Sequence, residues 1–420
     1  MTATANISSA HGVAETVAIV ELGHGGDGIA ETAGGRVYVP FTLPGETVEI
    51  ERSGERGRPL QIVGASPARI APICRHFGTC GGCALQHMER NAYLAWKRAM
   101  VEGAFAQRGI ETEVEPVVPI GEETRRRAVF SAIRTARGVI LGFHRKGADE
   151  IIPIEECPVL VPAIAGKLQT FSRIAGLTIG SRRPARVVVV AADNGLDVAV
   201  EGGRRLGRNE LEALGALAAD PALARLTVDG SQVFLNRPPE IRAGDASLLP
   251  VAGGFLQAAA AAEAALASAV LDHVGDAAPI ADLFAGIGTF TLRLARRAPV
   301  TAVEGSAQLL AAIEAAAHRT RGLKPVTVRK RDLFRNPLAP IELDPFGAVV
   351  FDPPAAGAKA QAETIAASRV PKVAAVSCNP ATLARDARIL IDGGYRLVRV
   401  RPVDQFLFSA EIEVVATFER

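Results

Sequence analysis

Between residues 14 and 65, apolar and polar positions alternate in short runs: Thr16-Val17-Ala18-Ile19-Val20, Arg36-Val37-Tyr38-Val39 and Thr47-Val48-Glu49-Ile50. A period of two puts successive side chains on opposite faces of a strand. Glycine-rich turns separate the runs, at residues 23–28 and 43–46. Short strands at this spacing predict a small β-barrel over residues 1–66. The pattern is mixed over residues 67–245. There, residues 89–108 read as a helix carrying Tyr93, Trp96 and Phe105, and residues 185–200 as two strands around an Asp193-Asn194-Gly195 turn. From residue 246 to 420, apolar strand-like runs (280–284, 300–304, 348–351, 373–377 and 411–418) alternate with helical stretches. That alternation predicts a doubly wound parallel α/β sheet of Rossmann type, with its ligand outside the carboxyl ends of the strands.

Composition narrows the class. The chain has 420 residues, 48% hydrophobic and 22% charged, with aromatics at 5%, so its cores should rest on Ala, Val, Leu and Ile. No basic n-region and apolar h-region open the chain, so no signal peptide is expected. The richest apolar run, 258–270, is broken by Glu263 and reads as a buried helix rather than a membrane span. A cytoplasmic enzyme follows as the expectation. A net charge of +2 announces no nucleic-acid partner by itself. Any such face must come from local clustering, for which Arg125, Arg126, Arg127, Arg134, Arg137, Arg145 and Lys146 are the candidates.

In a reducing compartment five cysteines call for chemistry other than disulfides. Cys74, Cys80 and Cys83 form a C-x5-C-x2-C cluster with glycines at 78, 81 and 82, and Cys157-Pro158 follows far along the chain. Four thiolates suit a [4Fe–4S] cluster or a zinc ion, and the spacing leaves both open. A glycine loop, Asp282-Leu283-Phe284-Ala285-Gly286-Ile287-Gly288-Thr289, ends one predicted strand and opens a helix. Such a loop alone could equally hold a dinucleotide. Glu304 ends the next strand, where a carboxylate can accept bonds from a ribose diol, and Asp332 lies near another strand end.

Together these motifs resemble a known family, the iron–sulfur-containing bacterial rRNA uridine-5-methyltransferases. The N-terminal pattern Leu22-Gly23-His24-Gly25-Gly26-Asp27-Gly28-Ile29-Ala30, followed by Val37-Tyr38-Val39-Pro40 and Leu43-Pro44-Gly45-Glu46, is similar to a TRAM domain, an OB-like barrel that holds RNA. Cys74 through His87, with Leu141-Gly142-Phe143-His144-Arg145 and Cys157-Pro158-Val159-Leu160, resembles the cluster-binding region. The resemblance implies a [4Fe–4S] cluster on Cys74, Cys80, Cys83 and Cys157. It also implies a class I methyltransferase domain over residues 246–420 that binds S-adenosylmethionine through Gln257, Phe284, Gly286, Gly288, Thr289, Glu304, Asp332 and Asp352.

Val376-Ser377-Cys378-Asn379-Pro380 matches the family's nucleophile motif, which implies Cys378 as the nucleophile, and the closing signature implies Glu413 as the base. The chemistry calls for both. Uracil C5 is a poor nucleophile until a thiolate adds to C6, and the C5 proton must then be removed before the thiolate leaves. A helix starting near Ala381 is expected to lower the Cys378 thiol pKa if its N-terminus points at the sulfur. Three departures stand out: Ala259 where the family has Asn, Ala355 where it commonly has Arg, and Glu411 where it has His. If Glu411 and Glu413 share a strand face, one of the two carboxylates should be harder to ionise, with Glu411 tuning or assisting Glu413.

The barrel-plus-cluster arrangement implies 23S rRNA rather than tRNA as substrate, with the target base out of its stack. Three alternatives remain at this point. One is a tRNA-directed enzyme. Another is an amino-group methyltransferase, suggested by Asp352-Pro353-Pro354, and the last a non-catalytic RNA-binding assembly factor.

Overall fold

The computed structural model describes residues 13–180 and 183–420. Contacts divide it into two compact units. One contains residues 13–78, Cys83–Tyr93 and Phe408–Ala410; the other contains Thr79–Gly82, Leu94–Leu407 and Glu411–Arg420.

The first unit is a six-stranded sheet. Its strands are β1 (Val13–Ala18), β2 (Glu21–Leu22), β3 (Gly28–Thr32), β4 (Gly35–Val39), β5 (Thr47–Ser53) and β6 (Arg56–Gly64), in the order β1-β5-β6-β4-β3-β2. The alternation seen in the sequence buries Val17, Ile19, Val37, Val39, Val48 and Ile50. Gly28 is obligatory here: a Cβ would stand 2.2 Å from Thr42 Oγ1. Glu46 is buried, accepts from the Leu43 amide at 2.8 Å and pairs with Arg69 at 2.5 Å, which ties the turn before β5 to the segment after β6.

The second unit carries two large sheets. The first has seven strands in the order β13-β12-β11-β10-β7-β8-β9. These are β7 (Arg127–Thr135), β8 (Gly138–His144), β9 (Ile151–Pro153), β10 (Ala185–Ala192), β11 (Gly195–Glu201), β12 (Leu223–Val228) and β13 (Ser231–Leu235). Strands β10 and β11 form the expected hairpin, paired from Arg186↔Glu201 to Ala192↔Gly195. A two-stranded ribbon, β14 (Ile241–Ala243) with β15 (Ala246–Leu248), follows. Ile241, Leu248 and Leu256 share one core with Ile287 and Leu292, so the ribbon packs into the last domain.

The last sheet has the order β18-β17-β16-β19-β20-β22-β21. Its strands are β16 (Ile280–Leu283), β17 (Val300–Glu304), β18 (Val326–Lys330), β19 (Ala348–Phe351), β20 (Lys372–Ser377), β21 (Arg396–Val403) and β22 (Glu413–Glu419). Strands β16 to β20 run parallel, whereas β22 is antiparallel to both β20 and β21. The sheet is therefore mixed rather than wholly parallel. Strands β16, β17, β19 and β20 were legible as apolar runs; β18 and β21 were not. Strand β16 lies between β17 and β19, the point where the winding direction reverses and a crevice opens at the carboxyl ends. The apolar run at 258–270 becomes helix Ala260–Val274, packed against β20, β21 and β22. No helix among the described residues is long and apolar enough to cross a membrane.

Candidate active site

A cavity of about 760 Å³ opens at that crevice. Strand β16 delivers Phe284, Ala285 and Gly286 to it, strand β17 Glu304, strand β19 Asp352 and strand β20 Cys378. The turn after β16 is tight: Phe284 has φ +58°, Gly286 +56° and Gly288 +92°. A Cβ at Gly286 would meet nothing nearby, so this backbone is open to a ligand. Gly288 does not line the cavity; its α-carbon faces Ile313, where a Cβ would come within 3.0 Å of Cγ1. Gln257, Phe284, Gly286, Thr289, Glu304, Asp332, Asp352, Cys378 and Glu413 all line it, drawn from segments far apart in the chain.

The register of β22 explains how Cys378 and Glu413 meet. Ser377 pairs with Val414, and Val403 with Glu413. Because β22 runs antiparallel to β20, its first residue arrives where β20 ends, beside Cys378. Glu411, by contrast, precedes the strand and is exposed. The shared strand face expected for Glu411 and Glu413 is thus absent, because the strand begins only at Glu413. Glu411 still raises the pKa of Glu413 electrostatically.

The charge balance of the cavity is distinctive. Glu304, Asp332, Asp352 and Glu413 line it, against one basic side chain, Arg331. That arginine is already engaged, with Glu342 at 2.8 Å and Asn336 Oδ1 at 2.9 Å. A cavity lined by four carboxyl groups suits a ligand carrying a sulfonium and an ammonium better than the pyrophosphate of a dinucleotide. Glu304 also accepts from the Gly286 and Ser306 amides at 3.2 and 2.9 Å, which fixes its carboxylate at the floor of the turn.

Burial governs the ionisation of the reactive groups. Desolvation pushes Asp352 up to about 7 and raises Glu413 well above the usual carboxylate range, with Asp352 and Glu411 adding to the latter. The Cys378 thiol is pushed up to about 11, first by burial and then by Glu413, Asp352 and Glu411. This reverses the lowered thiol expected from the following helix. Helix Pro380–Asp392 does start there, but its first amides, of Ala381 and Thr382, are taken by the Asn379 side chain. Burial and three carboxylates then outweigh what remains of the helix dipole.

Two buried polar residues to which the sequence assigned no role lie on or against the segment before β22. Gln405 is 3% exposed and donates through Nε2 to Gln257 Oε1 at 2.6 Å and to Glu413 Oε1 at 3.2 Å. Gln257 in turn donates to Asp352 Oδ2 at 3.2 Å. Lys97, on helix Arg90–Ala106, is fully buried against Asp404. Of the arginines read as a candidate nucleic-acid face, Arg126 is buried instead. It pairs with Glu263 at 2.5 Å and donates to the Gln257 carbonyl at 3.1 Å; Arg293 closes the network on Glu263 at 2.7 Å. Arg127 donates to the Gly254 carbonyl, Arg134 to those of Ile179 and Gly176, and Arg145 pairs with Glu150.

Ala259 is the N-cap position of helix Ala260–Val274 and makes no side-chain cap bond. The Ala355 carbonyl accepts from Asn379 Nδ2 and Thr382 Oγ1 at 3.2 and 3.1 Å, so the Pro353-Pro354-Ala355 loop is held through its backbone.

The cysteines assigned by resemblance are divided. Cys74 and Cys83 belong to the first unit, Cys80 and Cys157 to the second. Among the described residues, no group of three or more His, Cys, Asp or Glu side chains is arranged to hold a metal ion. Gly81 is required by a protein contact: its amide donates to the His144 carbonyl at 2.9 Å, and a Cβ would stand 2.7 Å from that oxygen.

Comparison with known proteins gives the family and the fold. Residues 249–420 match a family model described as tRNA (Uracil-5-)-methyltransferase. A Brucella suis protein described as an uncharacterized RNA methyltransferase is 47% identical over 404 residues, covering 96% of this chain and 97% of its own. The 23S rRNA (uracil(1939)-C(5))-methyltransferase RlmD of Edwardsiella ictaluri is 34% identical over 423 residues, covering 96% of this chain and 95% of its own. The crystal structure of Pyrococcus abyssi tRNA (uracil-54, C5)-methyltransferase with S-adenosyl-L-homocysteine superposes with a TM-score of 0.73 at 23% identity, over 96% of this chain and 99% of that one, which supports the shared fold. The chain belongs to the RNA uracil-5-methyltransferase family.

Proposed function

We propose that this enzyme methylates C5 of a uridine in 23S rRNA, with Cys378 as nucleophile and Glu413 as base. The observation that carries the reading is the convergence of Cys378 and Glu413 on one acidic cavity through the β20–β22 register. Gln257, Phe284, Gly286, Thr289, Glu304, Asp332 and Asp352 line that cavity and would hold S-adenosylmethionine. When bound, S-adenosylmethionine supplies the methyl group, as a sulfonium, to the activated C5. Gly288 serves by shaping the turn.

The protein's own groups carry the rest. The Cys378 sulfur forms a bond to C6, and the C5=C6 electron pair moves towards C5 and O4. Glu413, ionised, later takes the C5 proton; the C5=C6 bond reforms and the thiolate leaves. Two raised carboxylates beside a raised thiol make protonation state the controlling variable. The reaction therefore needs pH high enough to ionise Glu413 and to feed the thiolate, and it fails as pH falls through the raised carboxylate range.

The preference for 23S rRNA is supported by the 34% identity to a 23S rRNA enzyme along nearly the whole chain. In the same reading, the N-terminal sheet is a TRAM-like OB barrel that holds RNA, residues 67–245 form the central domain and 246–420 the catalytic domain. Cys74, Cys80, Cys83 and Cys157 would hold a [4Fe–4S] cluster. The support for that cluster is the resemblance to the iron–sulfur family, and no catalytic step is routed through it. Iron and sulfide analysis of anaerobically purified protein tests it.

The experiment for the function is direct. Anaerobically purified protein is incubated with labelled S-adenosylmethionine and unmodified 23S rRNA or tRNA, and each RNA is digested to nucleosides. Labelled 5-methyluridine from 23S rRNA is the expected product. Label from tRNA alone would replace the substrate, and label on an exocyclic amine would overturn the mechanism.

A further inference from the structure

Gln405 lies between the two buried carboxyl groups of the site without lining the cavity. Its Nε2 donates to Gln257 Oε1 at 2.6 Å and to Glu413 Oε1 at 3.2 Å, while Gln257 Nε2 donates to Asp352 Oδ2 at 3.2 Å. The chain runs Glu413, Gln405, Gln257, Asp352, and it joins the start of β22 to the end of β19. Both hydrogens of the Gln405 amide are used. One of these hydrogens holds Glu413 Oε1, while the other carboxyl oxygen, Oε2, is buried with no hydrogen-bond partner. That oxygen is the acceptor of the carboxylate left unused by the protein.

We infer that Gln405 is a positioning residue: by bridging Glu413 to Gln257 it aims the free oxygen of the base and ties the base to the residue that contacts the methyl donor. The inference rests on the reading of Cys378 as nucleophile and Glu413 as base. Asp352, Glu411 and Cys378 are the titratable groups that face Glu413, from the loop after β19, the segment before β22 and the end of β20. All three oppose its ionisation or, when ionised, are opposed by it. The Gln405 amide is the group that favours the ionised form.

The consequence falls on one step. Proton removal from C5 follows methyl transfer, so a misplaced base should strand the enzyme as a Cys378–RNA adduct whose base is already methylated. Two variants test this in the full-length protein, Gln405→Met and Gln405→Glu. Gln405→Met removes the amide at similar volume. Gln405→Glu keeps the shape and adds a third carboxyl group to the chain. Expected for both is a fall of about tenfold or more in turnover, in line with losses from a misplaced general base. A denaturant-stable protein–RNA species carrying label from S-adenosylmethionine should accumulate. The acid limb of the pH–rate profile should move to higher pH, further for Gln405→Glu, with the KM for S-adenosylmethionine nearly unchanged.

A lesser, structural role would lower all of these together and leave the pH profile in place; that result overturns the inference. So does wild-type turnover in both variants. If instead Cys378→Ala retains full turnover, the underlying mechanism fails and the inference falls with it. Circular dichroism and urea midpoints on the same samples separate misfolding from the step-specific effect.

Discussion

Lys97 offers the most quantitative prediction. Its ammonium is fully buried and donates to Asp404 Oδ1 at 2.6 Å, to the Glu411 carbonyl at 2.6 Å and to the Phe406 carbonyl at 3.2 Å. These acceptors belong to the segment between β21 and β22, which also carries Gln405. Lys97→Met keeps the aliphatic stem and removes the charge. Breaking a buried ion pair from one side costs about 3–5 kcal/mol, since the other charge stays desolvated. Two carbonyls also lose a charged donor, which adds cost of the order of 1 kcal/mol each, partly counted already. A loss of at least about 3 kcal/mol is therefore expected. Urea denaturation measures it, following the transition of the unit that holds the catalytic sheet, because a chain of two units need not unfold in one step. The double variant Lys97→Met/Asp404→Leu should recover much of the loss, because replacing both members of a buried pair by apolar groups is near neutral. A single-variant cost below about 1 kcal/mol, or a double variant no better than the single one, would refute the clamp.

Other outcomes follow from single contacts. Ala259→Ser should stabilise the protein by about 1 kcal/mol, read as a shifted urea midpoint, by giving helix Ala260–Val274 the side-chain cap it lacks. Glu411→Gln removes a carboxylate that raises Glu413, so the acid limb of the pH–rate profile should move to lower pH. Asp352 is raised from 3.8 to about 7, so its protonated form favours the folded state and that contribution is lost as pH climbs through this window. Asp352→Asn should accordingly flatten the fall in stability between these pH values in paired urea titrations, while abolishing activity. Gly288→Ala should destabilise the fold, since φ is +92° and the new Cβ would press on Ile313 at 3.0 Å.

What the sequence made legible follows its hydrophobic patterning. Strands at 300–304 and 348–351 were exact because buried parallel strands are continuous apolar runs. The edge strands hid themselves: β18 is Val-Thr-Val-Arg-Lys, largely exposed, and β21 interleaves arginines with apolar residues. Resemblance to the family's motifs brought Gln257, Asp352, Cys378 and Glu413 forward before any geometry was known, and a strand-end position did the same for Glu304. Two features could not be read that way. Lys97 meets Asp404 across 307 positions, and a lysine in an amphipathic helix carries no mark of its burial. Arg126 sits in a run of arginines that looks like a solvated face; only the tertiary approach of Glu263 and Gln257 shows that it braces the site. The thiol pKa went the other way for a similar reason, since the carboxylates that raise it, Asp352 on one segment and Glu411 and Glu413 on another, lie far from Cys378 in the chain.

The central claim is covalent catalysis by Cys378, and RNA containing 5-fluorouridine tests it most directly. Fluorine at C5 cannot be removed as a proton, so the base is defeated and the adduct persists. With S-adenosylmethionine present, the account predicts a protein–RNA species stable to denaturing gels, carrying the donated methyl group and mapping to Cys378 by peptide mass spectrometry, and absent in Cys378→Ala. Normal methylation of natural uridine RNA by Cys378→Ala, with no trapped species from the wild-type enzyme, would contradict it.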